Sequence, residues 1–203
     1  MIGVDVRRGI YTHISGIDLV RDSKPSGFLV LEDNVRTPSG ISYVIENRLV
    51  MTRTFPDAFH TYEVLPVDHY PAELEEILQS ISPWGERNPQ IVLLTPGIYN
   101  SAYFEHCFLA QQMEIELAEG RDLIFDGCYM SVKTIYGLKR VDVIYRRVDD
   151  EYLDPLGFEP DFLLGVPGGN LPGLRARSAW GPTQAWTSVL VCFRIHCAEE
   201  RCW

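Results

Sequence analysis

The stretch that decides the fold is residues 11–40, YTHISGIDLVRDSKPSGFLVLEDNVRTPSG. Two segments with apolar residues, 11–21 and 28–36, flank residues 22–27, DSKPSG, whose proline and glycine are typical of a turn. We therefore predict a β-hairpin. With Pro25 as the pivot of the turn, Asp18 lies opposite Glu32.

The predicted hairpin has one polar and one apolar face. Strand side chains alternate between faces, so Glu32, Asn34 and Arg36 share a face. The other face is predicted to be the core side, with apolar residues from both strands: Ile17, Leu19, Leu29 and Leu31. Two carboxylates opposite each other destabilise a strand pair, and a divalent cation would turn that penalty into a binding site. Asp, Glu and Asn oxygens suit Mg²⁺. The alternative is a solvated polar face without a metal.

The segments after the hairpin predict helices and then a small sheet. Apolar residues recur at helical spacing over 40–55, and a short amphipathic helix is predicted over 72–80, after Pro71. Residues 91–95, IVLLT, have the unbroken apolar character of a buried strand. Further elements are predicted as a helix over 102–113 capped by Ser101, a strand from 115, a hairpin around Asp126 and Gly127, and a strand over 140–148.

Polar side chains gather near the predicted ends of the sheet strands. Ligands bind α/β units where a strand ends and a helix begins. The candidate substrate contacts at that point are Asn100, Ser101, Tyr103 and Glu105, with His106 in the same segment. Arg146 and Arg147 alternate across the last strand, so only one can face a given pocket, and we expect one to pair with the acids at 149–151. Three further residues are interpreted as structural: Cys107, His13 and His69.

Composition excludes several classes of protein. The 203 residues are 46% hydrophobic, which is ordinary for a globular protein, and no apolar run is long enough to span a bilayer. No signal-peptide pattern is present at the N-terminus. The net charge of −10 argues against general nucleic-acid binding. Five cysteines without a CxxC pair indicate neither a disulfide framework nor a zinc site, so we expect a cytoplasmic protein.

The hairpin resembles the closing hairpin of the ATP-grasp ligases, where an acid on one strand and a Glu-x-Asn on the next hold two magnesium ions. By that resemblance Asp18, Glu32 and Asn34 are the metal ligands. Arg36 would have a catalytic role facing a phosphate or the substrate anion, and Ser39 would help to hold the anionic co-substrate.

Longer motifs resemble the circularly permuted ATP-grasp family, type 2. They are GIDLVRD…LEDNVRTPSGISYVIENR, LPVDHYP, LLTPGIYNSAYFEH and VDVIYRRVDDEYLDPLGFEPDFLLGVPG, and they cover roughly residues 3–168. The resemblance implies an α/β fold: a metal-binding hairpin and helix from an ATP-grasp lobe over 1–58, then a pre-ATP-grasp-like domain with a mixed sheet over 59–168. It also implies a relationship to glutathionylspermidine synthetase and other carboxylate–amine ligases, which use ATP and Mg²⁺. By the same resemblance, residues 140–148 meet the substrate, and one of Arg146 and Arg147 binds a substrate carboxylate.

The expected nucleotide clamp is not visible in the sequence. The chain has three lysines, Lys24, Lys133 and Lys139, and none lies in a glycine-rich phosphate loop. Residues 169–203 form an atypical tail, because residues 170–203 contain three of the four tryptophans and four arginines against two glutamates. We expect a frame change or truncation near Gly168 that removes a C-terminal half. The alternative is a divergent segment in which 188–195 pairs at a sheet edge.

The sequence therefore predicts a fragment of an ATP- and Mg²⁺-dependent carboxylate–amine ligase, inactive on its own. Its substrates would be a small-molecule carboxylate and an amine, and neither nucleic acid nor a membrane is expected as a partner. The alternative is a non-catalytic remnant that binds a metal or a partner. The identities of the acid and the amine do not follow from the sequence.

Overall fold

A computed structural model describes residues 12–23, 27–82, 88–126, 129–149, 152–153, 164–166 and 189–191. The elements in chain order are β1 (Gly16–Arg21), β2 (Phe28–Asn34), α1 (Ile41–Thr54), α2 (Pro56–Tyr62), α3 (Tyr70–Ser80), β3 (Ile91–Leu94), α4 (Tyr103–Gln112), β4 (Glu116–Ala118), β5 (Leu123–Phe125), β6 (Met130–Thr134), β7 (Gly137–Arg140), β8 (Val143–Arg146) and β9 (Val189–Val191). The predicted α/β fold class is confirmed. None of the described helices is long and apolar enough to cross a membrane.

The central sheet has the strand order β4-β3-β8-β9. Strand β3 is parallel to both β4 and β8, and β9 pairs antiparallel with β8 at the edge. All residues of β3 and β8 are buried, so the prediction that they are buried neighbours in one sheet is confirmed. The predicted strand over 140–148 was too long, because Arg140 ends β7 in a different sheet and β8 begins at Val143.

Strand β3 is apolar without interruption because both of its faces are covered. Ile91 and Leu93 pack on one side with buried residues of α3 and α4. Val92 and Leu94 pack on the other side with residues of the antiparallel sheet β5-β6-β7. A strand between two packed layers has no solvent face and therefore needs no polar alternation.

The helix before the candidate substrate contacts starts differently from the prediction. Ser101 was expected to cap α4, but Ala102 occupies the capping position and makes no side-chain cap. The amide oxygen of Asn100 instead accepts a hydrogen bond from the backbone N–H of Ala102, at 2.9 Å. Asn100 is favoured here because a short amide side chain can bond to backbone two residues onward.

In the hairpin β1–β2, Asp18 lies opposite Glu32, as predicted. A bulge follows Asp18, so that the next pair is Leu19 with Val30, and Leu31 is the extra residue. The expected apposition of Ile17 and Leu19 with Leu29 and Leu31 was therefore wrong. The expected core side was also wrong: every residue of β2 is exposed.

The predicted tail contributes one described element. Strand β9, Val189–Val191, lies at the edge of the central sheet, as the alternative of an edge-pairing segment predicted. The other tail residues, 169–188 and 192–203, lie outside the described residues, as do Pro25 and Gly127.

Candidate functional site

The polar end of the hairpin brings the three predicted metal ligands to one face. Asp18 lies opposite Glu32 and Gly16 opposite Asn34, so alternate positions on both strands share this face. The side-chain amide of Asn34 donates a hydrogen bond to Oε1 of Glu32 at 3.1 Å, which holds the two side chains together. All three ligands are exposed to solvent.

The chemistry of this set suits Mg²⁺, which is usually held by one or two carboxylates together with substrate phosphates. Asp18 and Glu32 supply two carboxylates, and Asn34 supplies an amide oxygen. Within the part of the chain that the structure describes, no group of three or more His, Cys, Asp or Glu side chains is placed to hold a metal. A cation at the hairpin would therefore take further ligands from a substrate or from water.

The loop between the hairpin and α1 carries the predicted anion-binding residues. Arg36 forms an ion pair with Asp149, at 3.4 Å between Nε and Oδ1, and both side chains are about half exposed. Ser39 is exposed. The loop enters α1 through Gly40, whose φ of 113° lies in the left-handed region that glycine adopts without strain.

A buried carboxylate from α4 holds the start of α1. Oε2 of Glu105 accepts hydrogen bonds from the backbone N–H of Gly40 at 2.6 Å, from the backbone N–H of Ser42 at 3.1 Å, and from Oγ of Ser42 at 3.0 Å. Helix α1 has no side-chain cap of its own. Because the first N–H groups of a helix need acceptors and favour negative charge, Glu105 serves as its cap from a distant part of the chain.

Arg147 completes this arrangement, which we call the Glu105–Arg147 clamp. Its Nη2 donates to Oε1 of Glu105 at 3.1 Å, and both side chains are almost fully buried. Its Nη1 donates to the carbonyl of Pro38 at 2.6 Å and to the hydroxyl of Tyr145 at 3.3 Å. The clamp thus ties the loop that follows the hairpin to the end of β8.

The clamp changes how two predicted substrate contacts are interpreted. Glu105 and Arg147 are brought together, and both carboxylate oxygens and both Nη atoms bond to each other, to Tyr145 or to residues 38–42, whereas Nε of Arg147 is buried without a hydrogen-bond partner. The expectation that an arginine here pairs with the acids at 149–151 was wrong for Arg147, whose partner is Glu105. Arg146 is also buried, and its Nη1 donates to the carbonyl of Val148 at 3.1 Å.

The remaining predicted contacts surround the start of α4. Ser101 is exposed and Tyr103 is partly exposed. A hydrogen bond between the Tyr103 hydroxyl and Cys107 raises the pKa of Tyr103. Ser101 and Tyr103 are therefore accessible to solvent near the end of β3. The side chain of Asn100 instead bonds to the backbone of the turn before α4.

The sequence did not reveal the pairing of Thr95 with His106. Oγ1 of Thr95 and Nδ1 of His106 are 2.8 Å apart in the interior, and Oγ1 also accepts from the N–H of Gly97 at 3.1 Å. Burial, and secondarily the charge of Arg147, lowers the pKa of His106 to about 4. The imidazole is therefore neutral at neutral pH and fixes the turn after β3. No sequence signal joins two residues eleven positions apart.

Comparison with known proteins identifies the family of this chain. The family model described as "Circularly permuted ATP-grasp type 2" matches residues 1–169. The chain belongs to the circularly permuted ATP-grasp family, type 2. The predicted resemblance over residues 3–168 is thereby confirmed.

The relatives of this ATP-grasp protein include uncharacterised proteins and one that is named as a ligase. It is 58% identical to an uncharacterised protein of Synechocystis over 167 residues, which are 82% of this chain and 34% of the relative. It is 50% identical to an uncharacterised protein of Mycobacterium tuberculosis, with 82% and 30% covered. A Frankia casuarinae protein named "Putative glutamate--cysteine ligase 2-2" is 41% identical, with 80% and 18% covered. The chain thus spans about a third or less of the length of these curated relatives.

Proposed function

We propose that this chain contributes the metal ligands and part of the substrate cleft of an ATP- and Mg²⁺-dependent carboxylate–amine ligase. The observation that carries the proposal is the hairpin register, with Asp18 opposite Glu32 and Asn34 on the same face. Membership of the ATP-grasp family and the ligase name of one relative support it.

In the proposed reaction, ATP phosphorylates a small-molecule carboxylate and an amine then displaces the phosphate. Asp18, Glu32 and Asn34 would hold Mg²⁺, which would supply positive charge beside the phosphates when the γ-phosphoryl group passes to the carboxylate and ADP leaves. We assign Arg36 and Ser39 to the phosphate or the substrate anion. Their loop is held in place at its start by the Arg36–Asp149 ion pair and at its end by the clamp.

The substrate cleft is proposed at the carboxyl ends of β3 and β8. These strands are parallel neighbours, so the segments that follow them meet at one edge of the sheet. We assign direct substrate contact to Ser101 and Tyr103, because their side chains reach the surface. Four further residues would shape the cleft from behind, since each makes a side-chain hydrogen bond within the chain: Asn100, Glu105, Arg146 and Arg147.

Turnover by this chain alone is not expected. Phosphoryl transfer depends mainly on positioning and charge stabilisation, so the nucleotide must be held from more than the metal side. The three lysines of the chain lie outside any glycine-rich phosphate loop. We propose that the ligase works in a reducing cytoplasm, on small molecules and without nucleic acid, and that ATP is clamped by groups beyond those described.

Calorimetry with a matched pair of variants tests the metal site. Wild-type protein should bind Mg²⁺ weakly, about millimolar, and Glu32→Gln should abolish that binding. Asp33→Asn is the control, because Asp33 is the next residue, lies opposite Ile17 and points to the other face. It removes the same charge and should leave binding within about twofold. Equal losses in both variants would show nonspecific attraction to an acidic protein, which salt also screens.

An ADP-release assay tests whether this chain alone turns over ATP. Purified chain with Mg²⁺, ATP and a panel of amino-acid and peptide acceptors should give no turnover. Turnover that disappears in Glu32→Gln would overturn the expectation that the nucleotide clamp is missing, while supporting the metal assignment.

A further inference from the structure

A concave polar pocket lies at the edge of the central sheet opposite the proposed substrate cleft. Its volume is about 210 Å³. Four segments meet around it: the last turns of α3, the residues that lead into β3, the turn between α4 and β4, and the end of β7. Because β3 and β4 are parallel, their amino ends meet here, whereas the cleft is proposed at the carboxyl ends of β3 and β8. The pocket is therefore separate from that cleft.

The lining of the pocket combines charges of both signs, with negative charge in excess. It includes three glutamates and one lysine: Glu75, Glu114, Glu116 and Lys139. Oε1 of Glu75 accepts a hydrogen bond from the side-chain amide of Gln79 at 2.7 Å. Among the described residues, the side chains of Glu114, Glu116 and Lys139 form no ion pair or hydrogen bond. These three charges are therefore available to a ligand.

The end of α4 makes one side of the pocket favourable for a cation. Glu114 follows Met113, the C-cap residue of α4. The last carbonyls of a helix carry partial negative charge, which favours cations nearby and opposes a carboxylate. Glu114 adds a full negative charge at this point, and Glu116 adds another two residues later. A bound cation would offset the repulsion among these groups.

The cation that fits this pocket is organic rather than a metal ion. Over the residues that the structure describes, no three His, Cys, Asp or Glu side chains are placed to hold a metal. The pocket carboxylates are therefore too far apart to coordinate one ion. A ligand with positive charges at separate points matches them, and a negative group on the same ligand would match Lys139.

We propose that this pocket binds a basic α-amino acid. Its carboxylate would pair with Lys139, one ammonium group with Glu114 and Glu116, and the other with Glu75. The volume lies below the range of about 300–1,000 Å³ that is typical of sites for drug-sized ligands, which suits a molecule as small as an amino acid. Since Glu114, Glu116 and Lys139 are exposed, we expect a dissociation constant on the order of 1 mM. The site goes beyond the proposed ligase reaction and does not depend on it.

Calorimetry of the full 203-residue chain with L-lysine tests the assignment of the carboxylate. Lys139→Met should weaken L-lysine binding by about fivefold or more, because a charge-assisted contact is lost. Lys133→Met is the matched control. Lys133 lies opposite Leu138 on the neighbouring strand and points to the other face from Lys139. It removes the same charge and should change the affinity by less than about twofold.

Cadaverine, a diamine without a carboxylate, tests the cation subsites. Lys139→Met should leave cadaverine binding unchanged or make it tighter, which also shows that this variant is folded. Glu116→Gln should weaken the binding of both ligands. Glu76→Gln is its control, because Glu76 is an exposed residue of α3 that does not line the pocket, and it should bind both ligands as the wild type does.

Several results would overturn the proposal. One is the absence of L-lysine binding to the wild-type chain at about ten times the expected dissociation constant. Another is an equal loss in Lys139→Met and Lys133→Met, which would indicate nonspecific attraction to an acidic protein. Loss of L-lysine binding in Glu32→Gln would place the ligand at the hairpin instead. The Mg²⁺ titration of the same variants stays a separate readout, so failure of either site leaves the other testable.

Discussion

The central sheet and the hairpin invert the usual distribution of side chains. Beside β3 and β8 the interior contains charged residues, Glu105, Arg146 and Arg147, all of them buried. The hairpin instead leaves apolar residues such as Phe28 and Leu31 in solvent. Charged groups are rarely buried unless they are paired. Large exposed apolar patches are uncommon and usually mark interaction sites.

The difference shows which part of the molecule is self-sufficient. Glu105 and Arg147 tolerate burial because each finds its partners within the described chain. The hairpin finds no comparable cover there. We conclude that the sheet region carries its own packing, whereas the hairpin is held near its base by the clamp and its described apolar side chains stay exposed.

Breaking the clamp should have the largest effect. Arg147→Met would leave the carboxylate of Glu105 buried without its cation, and the free energy of unfolding should fall by about 3–5 kcal/mol. Urea unfolding measures the loss. The control Arg121→Met removes an exposed ion pair with Glu119 and should cost less than about 1 kcal/mol. Comparable small losses would mean that the clamp contributes little to the sheet region.

Paired leucine truncations sharpen the contrast between the two regions. Leu93 is fully buried in a cluster with residues of α3 and α4, so Leu93→Ala should lower the free energy of unfolding by about 2–5 kcal/mol. Leu31→Ala removes an exposed side chain and should stay within about 0.5 kcal/mol. Chemical denaturation of both variants under one condition checks this. A loss above about 1 kcal/mol for Leu31→Ala would show that the hairpin is already covered within the chain.

Acid should destabilise the sheet region through His106. Its pKa is about 4 in the folded chain and 6.5 in the unfolded reference. The unfolded chain therefore binds more protons between these values, and stability falls as pH drops from 6.5 towards 4. The shift corresponds to at most ~3 kcal/mol.

Variants at two histidines isolate this contribution. His106→Gln should flatten the fall in melting temperature between pH 7 and pH 4.5 (an interval chosen to span roughly the titration range). His60→Gln, at an exposed position on α2, should follow the wild-type curve. Parallel curves for all three proteins would assign the acid sensitivity to other groups.

Much of the architecture follows from local signals. The turn around Pro25 predicted the register that places Asp18 opposite Glu32. The run 91–95 predicted a buried strand, which the structure has over Ile91–Leu94. The bulge after Asp18 was missed, because one extra residue in a strand leaves the alternating pattern on either side intact. The cap of α4 was assigned to Ser101, but Ala102 occupies that position, and Asn100 accepts a hydrogen bond from its backbone N–H.

The sequence predicted several residues of the candidate site but not how they pair. Glu105 and Arg147 were selected separately because each adjoins the end of a strand. Their pairing, and their bonds to Pro38, Gly40 and Ser42, join parts of the chain that lie 42 to 109 positions apart. Only the parallel pairing of β3 with β8, and the packing of α4 beside them, brings these groups together.

By itself the sequence determined the hairpin, the helices, the buried strands and the family, because turn chemistry, periodicity and long motifs act over neighbouring residues. The tertiary structure alone decided that Glu105 and Arg147 hold the loop after the hairpin, and that the apolar faces of the hairpin are uncovered. Burial and pairing depend on what packs against a side chain, and that information is spread over distant segments of the chain.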